Sequence, residues 1–171
     1  MHYWDQMVRC THPLGSFLFC IIFTGRIIST HFYFLFSGSG KSTTIGMLTG
    51  AIRPTDGFHV VGGKHSMTQM PEIRQQLGIC LQHNDCLFPK LTCQEHLEFF
   101  YTLRGTRQAM SQREVATRIE QALRDVALEE KRTTQSMHLS GGMKRKLCIA
   151  IAFAGDSDVV ILDEPTSGMV R

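Results

Sequence analysis

The stretch Ser37-Gly-Ser-Gly-Lys-Ser42 constrains the fold more than any other feature of the sequence. It follows the aromatic run HFYFLF, which predicts a strand, and it precedes TTIGML, which predicts a helix ended by Gly50. Glycine lets the backbone turn its N–H groups toward an anion, and the positive end of a helix adds to that attraction. A strand, a glycine-rich turn and a helix in this order predict a phosphate-binding loop.

Each residue type in this loop has its own chemical task. Gly38 and Gly40 let the chain wrap around phosphate oxygens, and the Lys41 ammonium supplies a point charge for the terminal phosphates. The Ser42 hydroxyl is suited to bind Mg²⁺. The phosphate-loop pattern starts with glycine, however, and this sequence has Leu35 there. If the loop requires a left-handed conformation, Leu35 costs about 1–2 kcal/mol and lowers affinity about tenfold.

A second motif follows the run VVIL at 159–162, whose β-branched residues predict a buried parallel strand. Asp163 and Glu164 come directly after it. We expect Asp163 to hold Mg²⁺ through water and Glu164 to activate an attacking water as general base. One Asp-Glu pair alone is also typical of a solvated strand end. Two such motifs in one chain, each on the element it requires, favour a nucleotide site.

A second glycine-containing turn, LSGGM at 139–143, precedes another predicted helix that runs to Ala154. The Ser140 hydroxyl and the backbone N–H groups of Gly141 and Gly142 stand at the start of that helix and predict another phosphate-binding surface. Two such surfaces on separate elements suggest that the second one reaches a nucleotide held by another copy. We therefore expect a head-to-tail dimer.

The rest of the chain alternates strand and helix patterns. The runs at 58–61 and 77–81 predict strands, and apolar residues recur at helical spacing from Thr92 onward, most clearly between Val115 and Val126. This order predicts an α/β fold with a mostly parallel sheet and an inserted helical subdomain at about 92–138. The run FLFCIIF at 17–23 is too short to span a bilayer, so we favour buried strands over a membrane segment or signal peptide.

Composition adds few constraints. The 171 residues are 43% apolar and 19% charged, with a net charge of +3, which is typical of one globular domain and selects no charged partner. Six cysteines without a CxxC pair predict reduced thiols. Cys80, His83, Cys86 and Cys93 have the ligand types of a zinc site, but a chance cluster around a loop is the preferred interpretation.

Taken together, the motifs resemble the nucleotide-binding domain of ABC transporters over residues 34–169. FSGSGKSTT, a glutamine in GICLQH, LSGGM and VVILDEPTSG stand in the order that this family has. LGICLQHNDCLFPKLTCQEHLEFF and LSGGMKRKLCIAIAFAGDSDVVILDEPTSGM resemble the A subfamily, which typically consists of large membrane proteins that move lipids. The resemblance implies ATP and Mg²⁺ as ligands, a P-loop NTPase fold, and a place at the cytosolic face of a membrane. It also implies transmembrane domains of the same transporter as partners, and a lipid substrate handled by the membrane part.

The resemblance also assigns roles to residues. Seven loop residues would bind the ATP phosphates: Ser37, Gly38, Ser39, Gly40, Lys41, Ser42 and Thr43. Gln82 would contact the Mg²⁺ or the attacking water and report to the membrane domains. Ser140, Gly141 and Gly142 would close over the ATP of the opposite domain. Glu164, Gln82 and Lys41 are thus the predicted catalytic residues, and Ser42, Gln82 and Asp163 the predicted metal ligands.

Several positions depart from the family pattern. Leu35 and Phe36 replace Gly and Pro or His, Leu81 replaces a proline of the A subfamily, and Val170 replaces an aspartate that communicates across the dimer. No histidine follows Asp163 to contact the γ-phosphate. Losing a contact to transition-state charge costs about 2.7–4 kcal/mol. A hydrolysis-deficient nucleotide-binding module is therefore the alternative function. We expect a partial domain, with residues 1–33 as a divergent, unassigned segment.

A third interpretation is an ATPase that acts on DNA or ribosomes. The basic cluster Lys144-Arg-Lys146 is its only support in the sequence, and no aromatic platform for bases accompanies that cluster. Three basic residues at a helix start are more typical of a solvated face. No nucleic-acid partner is expected.

Overall fold

The structure is a computed structural model that describes residues 19–23, 31–35, 40–81, 86–104, 110–155, 157–163 and 165. These residues form six strands and five α-helices. The strands are β1 (Phe19–Phe23), β2 (His31–Leu35), β3 (Val60–Val61), β4 (Lys64–His65), β5 (Leu77–Cys80) and β6 (Val159–Leu162). The helices are α1 (Lys41–Leu48), α2 (Met70–Gln76), α3 (Cys93–Leu103), α4 (Gln112–Asp125) and α5 (Gly141–Phe153), and short 3-10 turns lie at Glu129–Lys131 and Ser136–His138.

Four strands form the central sheet in the order β2-β1-β6-β5. Strands β5 and β6 are parallel, whereas β1 is antiparallel to both of its neighbours. Three of the four strands of this sheet, β2, β6 and β5, therefore run in one direction, although only the β5–β6 pairing is parallel; the predicted α/β fold is confirmed. The strand predicted at 17–23 is confirmed as β1, but nothing in the sequence indicated that it lies between β2 and β6.

Helices cover both faces of this sheet. Alternate residues of β6 point to opposite sides: Val160 and Leu162 pack with α5, whereas Val159 and Ile161 pack with α1 and α2. All four residues of β6 are buried. This arrangement explains why the run VVIL shows no polar alternation, because a strand covered on both faces has no solvent side.

A separate apolar cluster lies between α3, α4 and α5. Its buried residues include the predicted amphipathic face of α4, namely Val115, Ile119 and Leu123, together with Leu97 of α3 and Leu147 of α5. Burying each such side chain contributes roughly 1.5–3 kcal/mol. Because α5 also packs on the sheet, it connects the helical region to the strands.

Gly78 of β5 shows how closely α5 approaches the sheet. A Cβ atom at this position would lie 1.9 Å from the carbonyl oxygen of Ala152. Any larger residue would therefore push α5 away from β5. Glycine is required here by space.

Two elements differ from the prediction. The strand expected at 58–61 is limited to Val60–Val61, because the backbone of His59 is hydrogen-bonded to Ser66 outside the two-residue hairpin with β4. Helix α2 was not predicted; it begins with a proline in its first turn and buries Ile73. Among the described residues, no helix has both the length and the apolarity that crossing a bilayer requires.

Candidate functional site

The carboxyl ends of three strands meet at one edge of the sheet. Phe34 of β2 pairs with Cys20 of β1, Cys20 pairs with Leu162 of β6, and Leu162 pairs with Cys80 of β5. The ends of β2 and β5 and Asp163, which follows β6, therefore lie at the same edge of the sheet. Neighbouring strands are about 4.8 Å apart, so β2 and β6 are separated by roughly 10 Å. Ligands of α/β proteins bind at this edge.

Helix α1 starts with Gly40 in a left-handed conformation (φ 81°, ψ 19°). The Gly40 carbonyl accepts hydrogen bonds from the Thr44 N–H at 2.9 Å and from the Thr44 hydroxyl at 3.1 Å. Space around a Gly40 Cβ is open, so it is the backbone conformation that requires glycine. The prediction that the glycine-rich turn leads directly into a helix is confirmed.

The N-terminus of α1 is open to an anion. No side chain caps it, its first turn contains no acidic residue, and Ser42 and Thr43 are exposed. Its first N–H groups and its positive dipole end are therefore uncompensated within the helix. This arrangement fits a polyphosphate. Ser37, Gly38, Ser39 and the Lys41 side chain lie outside the described residues.

Leu35 does not carry the strain that the sequence suggested. It is the last residue of β2 and pairs with Phe19 in the antiparallel ladder. Its backbone is therefore extended, a conformation that leucine adopts without cost. The penalty expected for a left-handed leucine does not apply in this structure.

Asp163 directly follows β6 and is buried, with 7% of its surface exposed. Its N–H donates to the Cys80 carbonyl at 2.8 Å, which extends the β5–β6 pairing by one residue. A carboxylate is a hard oxygen ligand of the kind that Mg²⁺ prefers, so Asp163 fits the predicted metal role. Gln82 and Glu164, two of the three predicted catalytic residues, lie outside the described residues.

Arg145 of α5 joins the ends of β5 and β6. Its Nη1 donates to the Leu81 carbonyl, its Nη2 donates to the Asp163 carbonyl, and its Nε donates to the Pro165 carbonyl at 3.4 Å. The fork-shaped guanidinium suits several acceptors at once. Gln82 follows Leu81, and Glu164 lies between Asp163 and Pro165. Arg145 thus holds the backbone on both sides of Glu164 and on the N-terminal side of Gln82.

Arg145 does not belong to a solvated basic face, so for this residue the prediction was wrong. Only 2% of Arg145 is exposed. A signal was available: Arg145 precedes Cys148 and Ile149 by three and four positions, and residues at this spacing share a helix face. Because both of those residues are buried, Arg145 points inward with them.

Ser140 caps helix α5. Its hydroxyl accepts a hydrogen bond from the Met143 N–H at 3.3 Å, and the first turn of α5 contains no acidic residue. Ser140 and Gly141 are exposed, and a Cβ at Gly141 would meet no atom within 4 Å. The predicted second phosphate-binding surface is therefore accessible from solvent. It lies on a different helix from the first.

The segment that follows Gln82 is held by buried polar contacts. The Phe88 N–H donates to His96 Nε2 at 2.8 Å, so His96 Nδ1 carries the proton that it donates to the Thr92 carbonyl at 2.7 Å. The Ser136 hydroxyl donates to the Phe88 carbonyl at 2.8 Å. Burial lowers the pKa of His96, because this site excludes the water that would stabilise its charged form. His96 was not predicted, because nothing in the sequence of α3 distinguishes it from the other residues of that helix.

The cysteines are not arranged as the zinc hypothesis requires. Cys80 and Cys86 lie with Cys148 beside the sheet, whereas Cys93 lies in the helical cluster, where burial raises the pKa of its thiol. His83 lies outside the described residues. Within the part of the chain that the structure describes, no group of three or more His, Cys, Asp or Glu side chains is placed to hold a metal ion.

Comparison with known proteins agrees with this geometry. The family model described as ABC transporter matches residues 36–167. The retinal-specific phospholipid-transporting ATPase ABCA4 of Homo sapiens is 49% identical over 133 residues, which are 78% of this chain and 6% of that protein. ATP-binding cassette sub-family A member 2 of Homo sapiens is 46% identical over 133 residues, 78% of this chain and 5% of that protein. The chain therefore spans about one twentieth of the length of these relatives.

A solved structure supports the fold. A dimeric ATP-binding cassette in a post-hydrolysis state, bound to ADP and Pi, matches with a TM-score of 0.68 and 23% sequence identity. The match covers 90% of this chain and 76% of that one. At this identity the likeness establishes the arrangement of helices and strands. The predicted P-loop NTPase fold of the ATP-binding cassette type is thereby confirmed.

Proposed function

This chain belongs to the ABC transporter family, and from that premise we propose that it is the ATP-binding and ATP-hydrolysing module of a transporter. The transporter couples Mg-ATP hydrolysis to movement of a lipid across a membrane. The module lies at the cytosolic face of that membrane. Lipid as the substrate class is supported by the similarity to A-subfamily proteins, one of which is named as a phospholipid-transporting ATPase.

One observation carries the proposal. The pairing of Phe34, Cys20, Leu162 and Cys80 across the sheet brings the loop after β2 and Asp163 to the same edge. The N-terminus of α1 lies directly after that loop and has neither a capping side chain nor an acid. A site for phosphates and a divalent cation requires two features: exposed backbone N–H groups for the anion and a carboxylate for the metal.

Each predicted residue has a separate role in binding or hydrolysing ATP. The N–H groups of residues 38–43 hold the phosphates, and Lys41 balances charge on the terminal ones. Ser42, Gln82 and Asp163 hold the Mg²⁺, which supplies charge neutralisation at the phosphate oxygens when it is bound. Glu164 takes a proton from the attacking water. Arg145 keeps the backbone beside Gln82 and Glu164 in place through its three carbonyl contacts.

Two partners complete the module. A second ATP-binding domain, head to tail with this one, places its Ser140, Gly141 and Gly142 equivalents over the nucleotide; the exposed start of α5 supports this role. The transmembrane domains of the same transporter are the other partner. An exposed apolar surface made by Phe88, Phe99 and Leu103 supports such docking, because Phe88 and Phe99 form an edge-to-face pair at 5.6 Å beside the segment that follows Gln82.

A hydrolysis-deficient module is the second candidate. Val170 stands where the family has an aspartate that communicates across the dimer, and this substitution favours nucleotide binding without efficient turnover. No part of the site described above depends on Val170. Binding and turnover therefore have to be measured separately.

The test is equilibrium binding of Mg-ATP to the purified chain, Lys41→Ala and the control Lys90→Ala, followed by phosphate release from wild type and Glu164→Gln. Lys90 is an exposed residue on the loop before α3. Micromolar binding that is lost only in Lys41→Ala, with phosphate release that is lost in Glu164→Gln, supports the ATPase. Binding without release supports the second candidate. No binding by a folded chain overturns both.

A further inference from the structure

Two cysteines from distant parts of the chain are in contact beside the sheet. The Sγ atoms of Cys86 and Cys148 are 3.4 Å apart, although the residues are 62 positions apart in the sequence. Both are thiols in this structure. A disulfide needs an S–S distance of about 2.05 Å, so a shift of roughly 1.4 Å joins the two sulfurs.

Cys86 is accessible to solvent, whereas Cys148 is held by packing around α5. Cys148 is fully buried on α5, whereas Cys86 is partly exposed on the segment after Gln82. Cys86 and its neighbour Leu87 pack against both the helical cluster and the cluster between α5 and the sheet. A soluble oxidant therefore reaches Cys86 first, and Cys148 is held next to it by a packed helix.

We propose that Cys86 and Cys148 form a thiol–disulfide exchange site that reacts with glutathione disulfide and joins the segment after β5 covalently to α5. This inference rests on the thiol geometry alone, and it holds whether or not the chain binds ATP.

The reaction proceeds in two exchanges. The Cys86 thiolate attacks one sulfur of glutathione disulfide, which forms a mixed disulfide and releases one glutathione thiolate. Cys148 then loses its proton and attacks the Cys86 sulfur, which releases the second glutathione. The protein gives up two electrons and two protons, and one glutathione disulfide becomes two molecules of glutathione. Hydrogen bonds with Cys80 and Cys86 together with burial raise the pKa of Cys148, so the second exchange is the slower one.

The bond has a physical consequence that can be measured. A cross-link between positions 86 and 148 restricts a long loop of the unfolded chain, and such restriction stabilises the folded state. It also fixes the junction between the helical region and the sheet. Oxidised protein should therefore unfold at a higher urea concentration than reduced protein.

The experiment treats the full chain with glutathione disulfide, blocks remaining thiols and maps disulfides after tryptic digestion. Cys80 and Cys86 fall in the same tryptic peptide, 75–90, and Cys148 falls in 147–171. Variants therefore identify the partner. Cys86→Ser and Cys148→Ser should lose the cross-linked peptide pair, whereas Cys80→Ser and Cys93→Ser should keep it. Circular dichroism confirms that each variant is folded.

Three results would overturn the proposal. One is a cross-link that disappears in Cys80→Ser and persists in Cys86→Ser, because Cys80 would then be the partner of Cys148. Another is a folded wild type that remains fully reduced, or that stops at the mixed disulfide with glutathione. The third is a mapped Cys86–Cys148 bond that leaves the urea midpoint unchanged or lowers it, since the sulfurs would then join only in a distorted state.

Discussion

Four of the described helices, α1, α3, α4 and α5, begin in two different ways. Helices α3 and α4 begin with capping boxes, in which Thr92 pairs with Glu95 and Ser111 pairs with Glu114. Each serine or threonine accepts a backbone N–H, and each glutamate accepts from the backbone of the capping residue. Helices α1 and α5 have no acidic residue in the first turn, and among the described residues no side chain caps α1.

This difference matches the proposed division between a structural region and a ligand-binding one. A capping box satisfies N–H groups and places a carboxylate at the positive end of the helix, so no site for an external anion remains. The helices that begin in the helical region close their own ends and stabilise the fold. The two helices that carry the glycine motifs have no acid in the first turn, which fits the proposed phosphate sites, although Ser140 caps α5.

The largest change in Mg-ATP affinity should come from placing a glutamate in the first turn of α1, where α3 and α4 have Glu95 and Glu114. Ser42→Glu removes the magnesium hydroxyl and places a negative charge where phosphate binds, so we expect Mg-ATP affinity to fall more than a hundredfold, about 3 kcal/mol. Isothermal titration calorimetry measures this. Ser42→Ala is the control: it removes the hydroxyl without adding charge and should weaken binding less. Equal affinity for wild type and Ser42→Glu would mean that phosphates do not bind at α1.

Removing the capping boxes should lower stability rather than ATP affinity. Thr92→Ala and Ser111→Ala each leave N–H groups unsatisfied and should lower the free energy of unfolding by about 1 kcal/mol, or about 2 kcal/mol together, since the two caps share no partners. ATP affinity should not change. Urea denaturation measures the first effect and calorimetry the second. Thr117→Ala, in the exposed middle of α4, should leave stability nearly unchanged. A large loss of ATP affinity in the capping variants would contradict the separation.

Ser140 tests whether one residue serves both purposes. Ser140→Ala removes the cap of α5 and should cost about 0.5–1 kcal/mol, whereas Ser140→Asp keeps a capping oxygen and should retain stability. Both variants should lose ATP-dependent dimers, because the first lacks the hydroxyl and the second repels the phosphate. Light scattering with and without Mg-ATP measures dimers. Dimers that survive in Ser140→Asp would argue against this surface.

The smallest effect we expect is on the pH dependence of the helical region. The lowered pKa of buried His96 means that the folded protein favours neutral imidazole. As the pH falls below about 6.5, the unfolded chain binds the proton first, so stability decreases and then levels off below the folded-state pKa. Urea midpoints from pH 7.5 to 5.5 measure this slope. His96→Gln should be less stable throughout and should show a smaller slope; an equal slope would assign the effect to another histidine.

The sequence predicted the parts of the site that depend on near neighbours. The helix after Gly40, the helix after the LSGGM turn and the buried run before Asp163 could each be predicted from a few residues, and the structure has them as expected. The inward orientation of Arg145 was missed because charge was given more weight than its helical spacing from Cys148. The short hairpin at β3 and β4 was missed because its length depends on contacts with Ser66 rather than on strand propensity.

What the sequence by itself determined is local: the left-handed turn at Gly40, the capping boxes, and the apolar faces of β6 and α4. Each arises from interactions within about four residues, which every copy of the same short pattern makes. Only the tertiary structure decided that β1 lies between β2 and β6, that Arg145 joins two strand ends, and that Cys86 meets Cys148. Hydrogen bonds between strands are made by the backbone and are the same for any residue, so the sequence of one strand does not specify which strand pairs with it. Which strands pair is decided by the requirement that all the apolar faces be buried together.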